Sequence, residues 1–333
     1  MPVTESQHLD ENRMENQRFL AFWGLKSLPG NGQIDLDQLY WQERTQGLCS
    51  RLLLSLEKTA NISVIVAPAG HGKSTLARWL YQRVDNETHD VALFSLLRQE
   101  HEAGWLLPRL AGYLGLPDSI RDTRVILQNL RMVHGKILTV IIDNAHYLSD
   151  AAAFDEIVSL CQVQALVDCR INFVLLGNPK LGQNVQNNRD IQHRLGLLSE
   201  LHPFSRAELQ TYLSQRLQDI GISRRALVPE SLALIAQQGS MTFAGVNAIL
   251  EACLFEAFLK EQKTISAEIV YAACENTGIR LKKEETESAK ANKIASKKRS
   301  TSSPAKAVNS SGDLNSLFYK TEMDSENDGE GED

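Results

Sequence analysis

What this chain has little of narrows its class first. Its 333 residues include five cysteines, Cys49, Cys161, Cys169, Cys253 and Cys274, with no CxxC pair. An odd, scattered set argues against a disulfide scaffold or a zinc site and fits a reducing, cytoplasmic compartment. No apolar run approaches the roughly 18–20 residues needed to span a bilayer. Residues 1–18 lack the apolar stretch of a secretory leader. An excess of positive charge is also missing: 35 Lys and Arg stand against 41 Asp and Glu, a net −6. That excludes a uniformly cationic surface, although a local basic groove remains allowed. There is no internal repeat. What is present, 43% hydrophobic residues over this length, suffices for about two domains.

Composition and periodicity divide the chain into a polar, disordered N-terminus (1–17), an α/β domain (18–203), a small helical domain (204–280) and a disordered, charged tail (281–333). Strands are predicted at Ile62–Val66, Val91–Leu96, Ile137–Ile142, Asn172–Gly177 and about Leu197–His202. Their continuous apolar, β-branched runs suit a parallel sheet buried on both faces. Helices are predicted at Lys73–Val84, Trp105–Leu114, Arg121–His134, Asp150–Ala165 and Lys180–Asn187. Alternation of this kind gives a doubly wound α/β layer. After His202 the strands stop. Ser205 with Glu208 reads as a capping box opening an all-helical region, with further helices at Pro229–Gln238, Phe243–Lys260 and Ser266–Glu275.

The sharpest motif is Ala67, Pro68, Ala69, Gly70, His71, Gly72, Lys73, Ser74 and Thr75. It lies between a predicted strand and a predicted helix, where a phosphate-binding loop belongs. Gly70 and Gly72 allow backbone N–H groups to turn inward around an anion, and the helix N-terminus adds its dipole. Lys73 would reach the β/γ-phosphates of ATP, and the Ser74 hydroxyl would ligate Mg²⁺. Ala67 replaces the usual first glycine. The strand ending in Asp143 supplies the second metal group, acting through water and hydrogen-bonded to Ser74. Asn144 follows, where many such ATPases carry a Glu that activates water. Asn can hold a water but cannot take its proton. Either hydrolysis is slow and the protein is mainly a nucleotide switch, or a neighbour such as His146 or Asp150 supplies the base.

These motifs resemble AAA+ ATPases of the ExeA/GspA type, a group that also includes the transposition ATPases TniB and TnsC. Phe22-Trp-Gly-Leu25 is similar to the family's FFGL opening, and Leu39-Tyr40 and Arg44 stand where it has its LY and HREAL segment. Asp143-Asn-Ala-His-Tyr-Leu148 resembles DEAQxL, and Gly177-Asn-Pro-Lys-Leu181 resembles GQPEL. Arg194-Leu195, Pro203-Phe204 and Tyr212-Leu-Ser-Gln-Arg216-Leu217 follow in the family's order. The resemblance covers roughly residues 19–278. It implies that Asn178 senses the γ-phosphate and that Arg194, or else Arg189, reaches a neighbouring subunit's site in a homo-oligomer. Aligning on Val246-Asn247 puts Ala244 where the family has a nucleotide-sensing arginine, so that sensor is absent. With Ala67 and Asn144 this makes an ATP hydrolase with a weakened site.

The tail holds two opposed blocks. Residues 282–306 carry eight Lys or Arg against three Glu, and residues 313–333 carry eight Asp or Glu against one Lys. Between them, Leu314, Leu317, Phe318 and Tyr319 form a candidate docking peptide for a protein partner, against the plainer reading of a solvated linker. The expected function is an ATP–Mg²⁺-dependent switch driving assembly or partner remodelling, in support of a secretion or pilus system. The alternatives are a transposition-type regulator that assembles on DNA and a scaffold that binds nucleotide without turnover.

Overall fold

A computed structural model describes residues 5–278 except 27, 30–35, 37–38, 58–60, 98–103, 134–135, 149–150, 165–168 and 239–241. The tail, with its charge blocks and docking peptide, lies outside the described residues, as does Asp150. Five strands, β1 (Asn61–Val66), β2 (His89–Ser95), β3 (Ile137–Asp143), β4 (Ile171–Gly177) and β5 (Leu195–Glu200), form one sheet in the order β2-β3-β4-β1-β5. Every pairing is parallel. The order departs from the chain order because β1 sits between β4 and β5, so helical crossovers lie on both faces.

The unbroken apolar runs follow from this burial. Successive side chains of a strand point to opposite faces. Ile62 and Val64 of β1, Val140 and Ile142 of β3, and Phe173 and Leu175 of β4 enter one core. Ile65, Ile141, Val174 and Leu176 enter the other. The first core is closed by α4 (Leu106–Tyr113), α5 (Thr123–Val133) and α6 (Ala151–Val163), the second by α2 (Glu43–Leu56) and α3 (Lys73–Arg83). Two short helices, α7 (Pro179–Gln186) and α8 (Arg189–Gln192), join β4 to β5.

A third core is purely helical. It is built by α9 (Arg206–Asp219), α10 (Pro229–Gln238), α11 (Phe243–Leu259) and α12 (Ala267–Asn276). The capping box is formed: the Ser205 hydroxyl accepts from the Glu208 N–H, and the Glu208 carboxylate accepts from the Ser205 N–H at 2.7 Å.

The chain start differs from the expectation. Instead of a disordered segment over 1–17, helix α1 runs Glu5–Trp23. Its last turns anchor it on the helical core. Phe19 meets Phe258 edge-on at 5.5 Å, and the Trp23 indole N–H donates to the Leu254 carbonyl at 3.1 Å. Two apolar anchors at the far end were not enough to register as a helical period in an otherwise polar stretch.

Candidate nucleotide site

The loop after β1 has the backbone that its glycines permit. Gly70 and Gly72 stand at φ +79° and +85°, in the left-handed region that side chains disfavour. Gly72 is the N-cap of α3, so the free N–H groups of that helix face the loop. Ala67, the residue in place of a glycine, is fully buried, and its N–H donates to the Gly177 carbonyl at 3.0 Å. It therefore prolongs the β1–β4 pairing rather than turning the chain, and an alanine serves there. The His71 ring bonds the Ala69 carbonyl at 3.1 Å and is buried away from the cleft.

Lys73 closes the loop on itself. Its Nζ donates to the carbonyls of Ala67 and Pro68, both at 2.8 Å. Burial lowers its pKa below the usual lysine value, while the Asp143 carboxylate opposes that shift. Asp143 ends β3, only 6% exposed, and its Oδ1 accepts from the Asn144 N–H at 2.9 Å. The expected hydrogen bond between Asp143 and Ser74 is not formed among the described residues.

Asn144 takes φ 59°, ψ 27°, a conformation asparagine tolerates better than most residues. Its Nδ2 leans toward the end of β2, 3.4 Å from both Ser95 Oγ and the Leu96 carbonyl. A single turn, Ala145–Tyr147, then brings His146 back toward the loop. Burial lowers the pKa of His146, and Lys73 and Lys180 add to that effect against Asp143. Gly177 makes room for this turn. A Cβ there would lie 3.0 Å from the His146 nitrogen and under 3 Å from Leu181. Asn178 is the N-cap of α7, its Oδ1 accepting from the Lys180 N–H at 3.0 Å. Its amide N–H₂ is left to donate elsewhere.

These groups converge on a cleft of ≈ 830 Å³ between the loop and the helical core. Of the sequence-predicted residues, Ala69, Gly70, Gly72, Lys73, Ser74, Thr75, Asn144 and Asn178 line it, and so does His146. Ala67, Pro68, His71 and Asp143 stand behind that lining. Arg194 does not reach it: the guanidinium donates to the Asp190 carbonyl at 2.9 Å.

The far wall was missed as a site. It consists of Leu39, Tyr40, Trp41, Tyr212, Arg216, Asp219, Phe243 and Asn247. Tyr212, Arg216 and Asp219 fall on one face of α9. The Tyr212 hydroxyl donates to Asn247 Oδ1 at 2.8 Å, and the rings of Phe204 and Phe243 pack at 5.4 and 5.1 Å from the Tyr212 ring. Tyr40, Tyr212 and Arg216 had stood out only as landmarks of the family resemblance. At this wall the lid touches the loop: the Ala244 N–H donates to the Gly70 carbonyl at 3.2 Å.

The residues present suit a nucleotide with Mg²⁺. Inward N–H groups and Lys73 match a polyphosphate, and Ser74 and Thr75 offer hydroxyls beside a carboxylate. Aromatic and polar side chains complete the opposite end.

Comparison with known proteins places this geometry. Residues 56–185 match the AAA domain family. The General secretion pathway protein A of Aeromonas hydrophila is 25% identical over 276 residues, 79% of this chain and 49% of that protein. The chain thus spans about half the length of that relative. Among solved structures, the fold is shared with the ORC2 protein of Aeropyrum pernix (TM-score 0.56, 19% identity, 75% of this chain and 70% of that one). It is shared also with the ORC1 protein of Aeropyrum pernix, solved with DNA (TM-score 0.58, 15% identity, 73% and 67%). A RuvB variant of Thermotoga maritima is similar as well (TM-score 0.51, 16% identity, 72% and 71%).

Proposed function

For a chain that carries an AAA domain and resembles AAA+ P-loop ATPases of the ExeA/GspA type, we propose an ATP–Mg²⁺-dependent switch whose nucleotide state sets assembly and partner contact. The observation that carries this reading is Lys73. Its ammonium is held on two loop carbonyls inside a cleft ringed by N–H donors. Carbonyls are weaker partners for an ammonium than phosphate oxygens, so a bound polyphosphate exchanges poor contacts for charge-assisted ones. Ser74 would hold the metal with Asp143 behind it, and the metal supplies charge neutralisation between the β- and γ-phosphates. Asn178 donates to a phosphate oxygen from its free amide. Tyr40, Tyr212 and Phe243 give the base an apolar wall, and Arg216 brings a second cation from the lid.

Because α11 is hydrogen-bonded to the loop, a change at the phosphates is felt by the helical region. That coupling is what a switch requires. In a homo-oligomer, Arg194 of one protomer serves the neighbouring site, and the tail peptide around Phe318 engages a protein partner of a secretion or pilus machine. Among the described residues no helix is long and apolar enough to cross a membrane, so the envelope link runs through that partner from a cytoplasmic location. The test is nucleotide affinity by calorimetry with Mg²⁺. The wild type should bind ATP and Lys73→Ala should not. Unchanged affinity in the variant removes the reading.

A second reading, a scaffold that does not hydrolyse ATP, is favoured by Asn144. Its amide cannot take a proton, and it leans toward Ser95 rather than the loop. Phosphate release in steady state separates the two, since sustained turnover by the wild type is incompatible with a scaffold.

A further inference from the structure

Asn144 leaves hydrolysis without an evident base, and the cleft contains another group suited to the task. We propose that His146 takes the proton of the attacking water when ATP is hydrolysed in this cleft. The inference rests on the nucleotide-binding reading above and adds the reaction to it.

Three observations converge on the imidazole. It lines the cleft with Lys73, Ser74, Asn144 and Asn178. It lies within electrostatic reach of both Lys73 and Asp143, which puts it at the phosphate end and not at the base end. Its Nδ1 is shut away from solvent with no hydrogen-bond partner, which leaves Nε2 as the nitrogen open to the cleft. A doubly protonated ring would bury an N–H without an acceptor, a costly arrangement. The resting ring is therefore neutral, the form that can accept a proton.

The surroundings fix the same state. Lys73 faces the ring from α3, Asp143 from β3 and Lys180 from α7, while β4 carries no titratable group. Two cations against one carboxylate, together with burial, hold the ring unprotonated at neutral pH. The turn is rigidly placed, because Gly177 lets the His146 backbone pack directly on β4 and α7.

In the reaction, the water oxygen forms a bond to the γ-phosphorus. The bond from that phosphorus to the β,γ-bridging oxygen breaks, and its electron pair leaves on ADP. The water proton passes to His146 Nε2 and from there to solvent. An imidazolium with one unpartnered N–H is a strong acid, so His146 is a weak base and turnover is slow.

The experiment uses the full chain, Mg²⁺ and three proteins: wild type, His146→Gln and His146→Ala. Single-turnover phosphate release from ATP is followed over about pH 5 to 9. The wild-type rate should rise from the acid side, with a midpoint below the ordinary imidazole value of 6.5, and then level off. Both variants should lose that limb and at least about 10²-fold in rate. Affinity for ADP should stay within about twofold, whereas the tighter binding of ADP–fluoroaluminate, a transition-state mimic, should disappear. Gln keeps the size and a hydrogen bond, so a purely structural role predicts that His146→Gln retains the wild-type rate and profile. That result would overturn the proposal. A wild type that binds ATP yet releases no phosphate also overturns it, while leaving nucleotide binding intact. A wild type that binds no ATP removes the proposed function as well.

Discussion

The Ala244 N–H donates to the Gly70 carbonyl at 3.2 Å, joining the first turn of α11 to the middle of the phosphate loop. Gly70 is crowded from the same side. A Cβ on it would meet Ala244 Cβ and Thr242 Oγ1 at 3.2 Å, and its φ of +79° already disfavours a side chain. Gly70→Ala should therefore cost about 1–2 kcal/mol from the left-handed backbone alone. It should weaken ATP binding and loosen the lid together. Thermal denaturation with and without ATP measures both, and a variant with wild-type melting and wild-type ligand shift would contradict the latch.

Lys73→Ala removes the cation from the loop. Two charge-assisted contacts at about 1.5–3 kcal/mol each correspond to a loss of at least about 10-fold to 100-fold in ATP affinity, read by calorimetry. ADP should lose less than ATP if Lys73 reaches the γ-phosphate.

The same lysine sets an alkaline limit. Burial lowers its pKa, and only the protonated form attracts phosphate. As pH rises through that lowered value the free protein loses the charge, so ATP affinity should fall. Lys73→Arg, whose guanidinium stays charged, should bind with an affinity that does not decline over the same range.

Asn144→Glu would add the missing carboxylate, but at φ 59°. A residue without asparagine's tolerance of that region incurs roughly 1–2 kcal/mol. Phosphate release should increase while the melting temperature drops. An unchanged rate would mean that position 144 does not face the reacting atoms, in keeping with its lean toward Ser95.

Tyr212→Phe keeps the ring stack and deletes one hydrogen bond, leaving Asn247 Oδ1 without its donor. The expected cost is about 1 kcal/mol, seen in chemical denaturation. A larger loss of nucleotide affinity than of stability would assign the hydroxyl to the ligand as well as to the lid.

Much of this molecule was legible in its residues. The strand runs declare themselves because a sheet buried on both faces needs apolar residues at consecutive positions, and Pro229–Gln238 falls where its periodicity put it. Lys73, Asn144 and Asn178 were found because each sits at the end of such a strand or just past it, where a parallel sheet gathers its chemistry. Helix α1 was not legible, since Phe19 and Trp23 acquire meaning only when the α11 surface is there to receive them. The far wall was not legible as a site either. Tyr40, Tyr212 and Arg216 lie far from the loop in the chain, and nothing local marks them as neighbours of Lys73.

The division follows the range of the forces involved. Glycine backbone freedom, strand alternation and helix capping act over a few residues, so the sequence by itself determined the layered fold, the loop and the Asp143–Asn144 strand end. Which side chains share a cleft depends on how helices and sheet pack across the chain. Only the tertiary structure decided that Ala244 would close on Gly70, that Arg194 would stay outside its own cleft, and that His146 would come to lie beside Lys73.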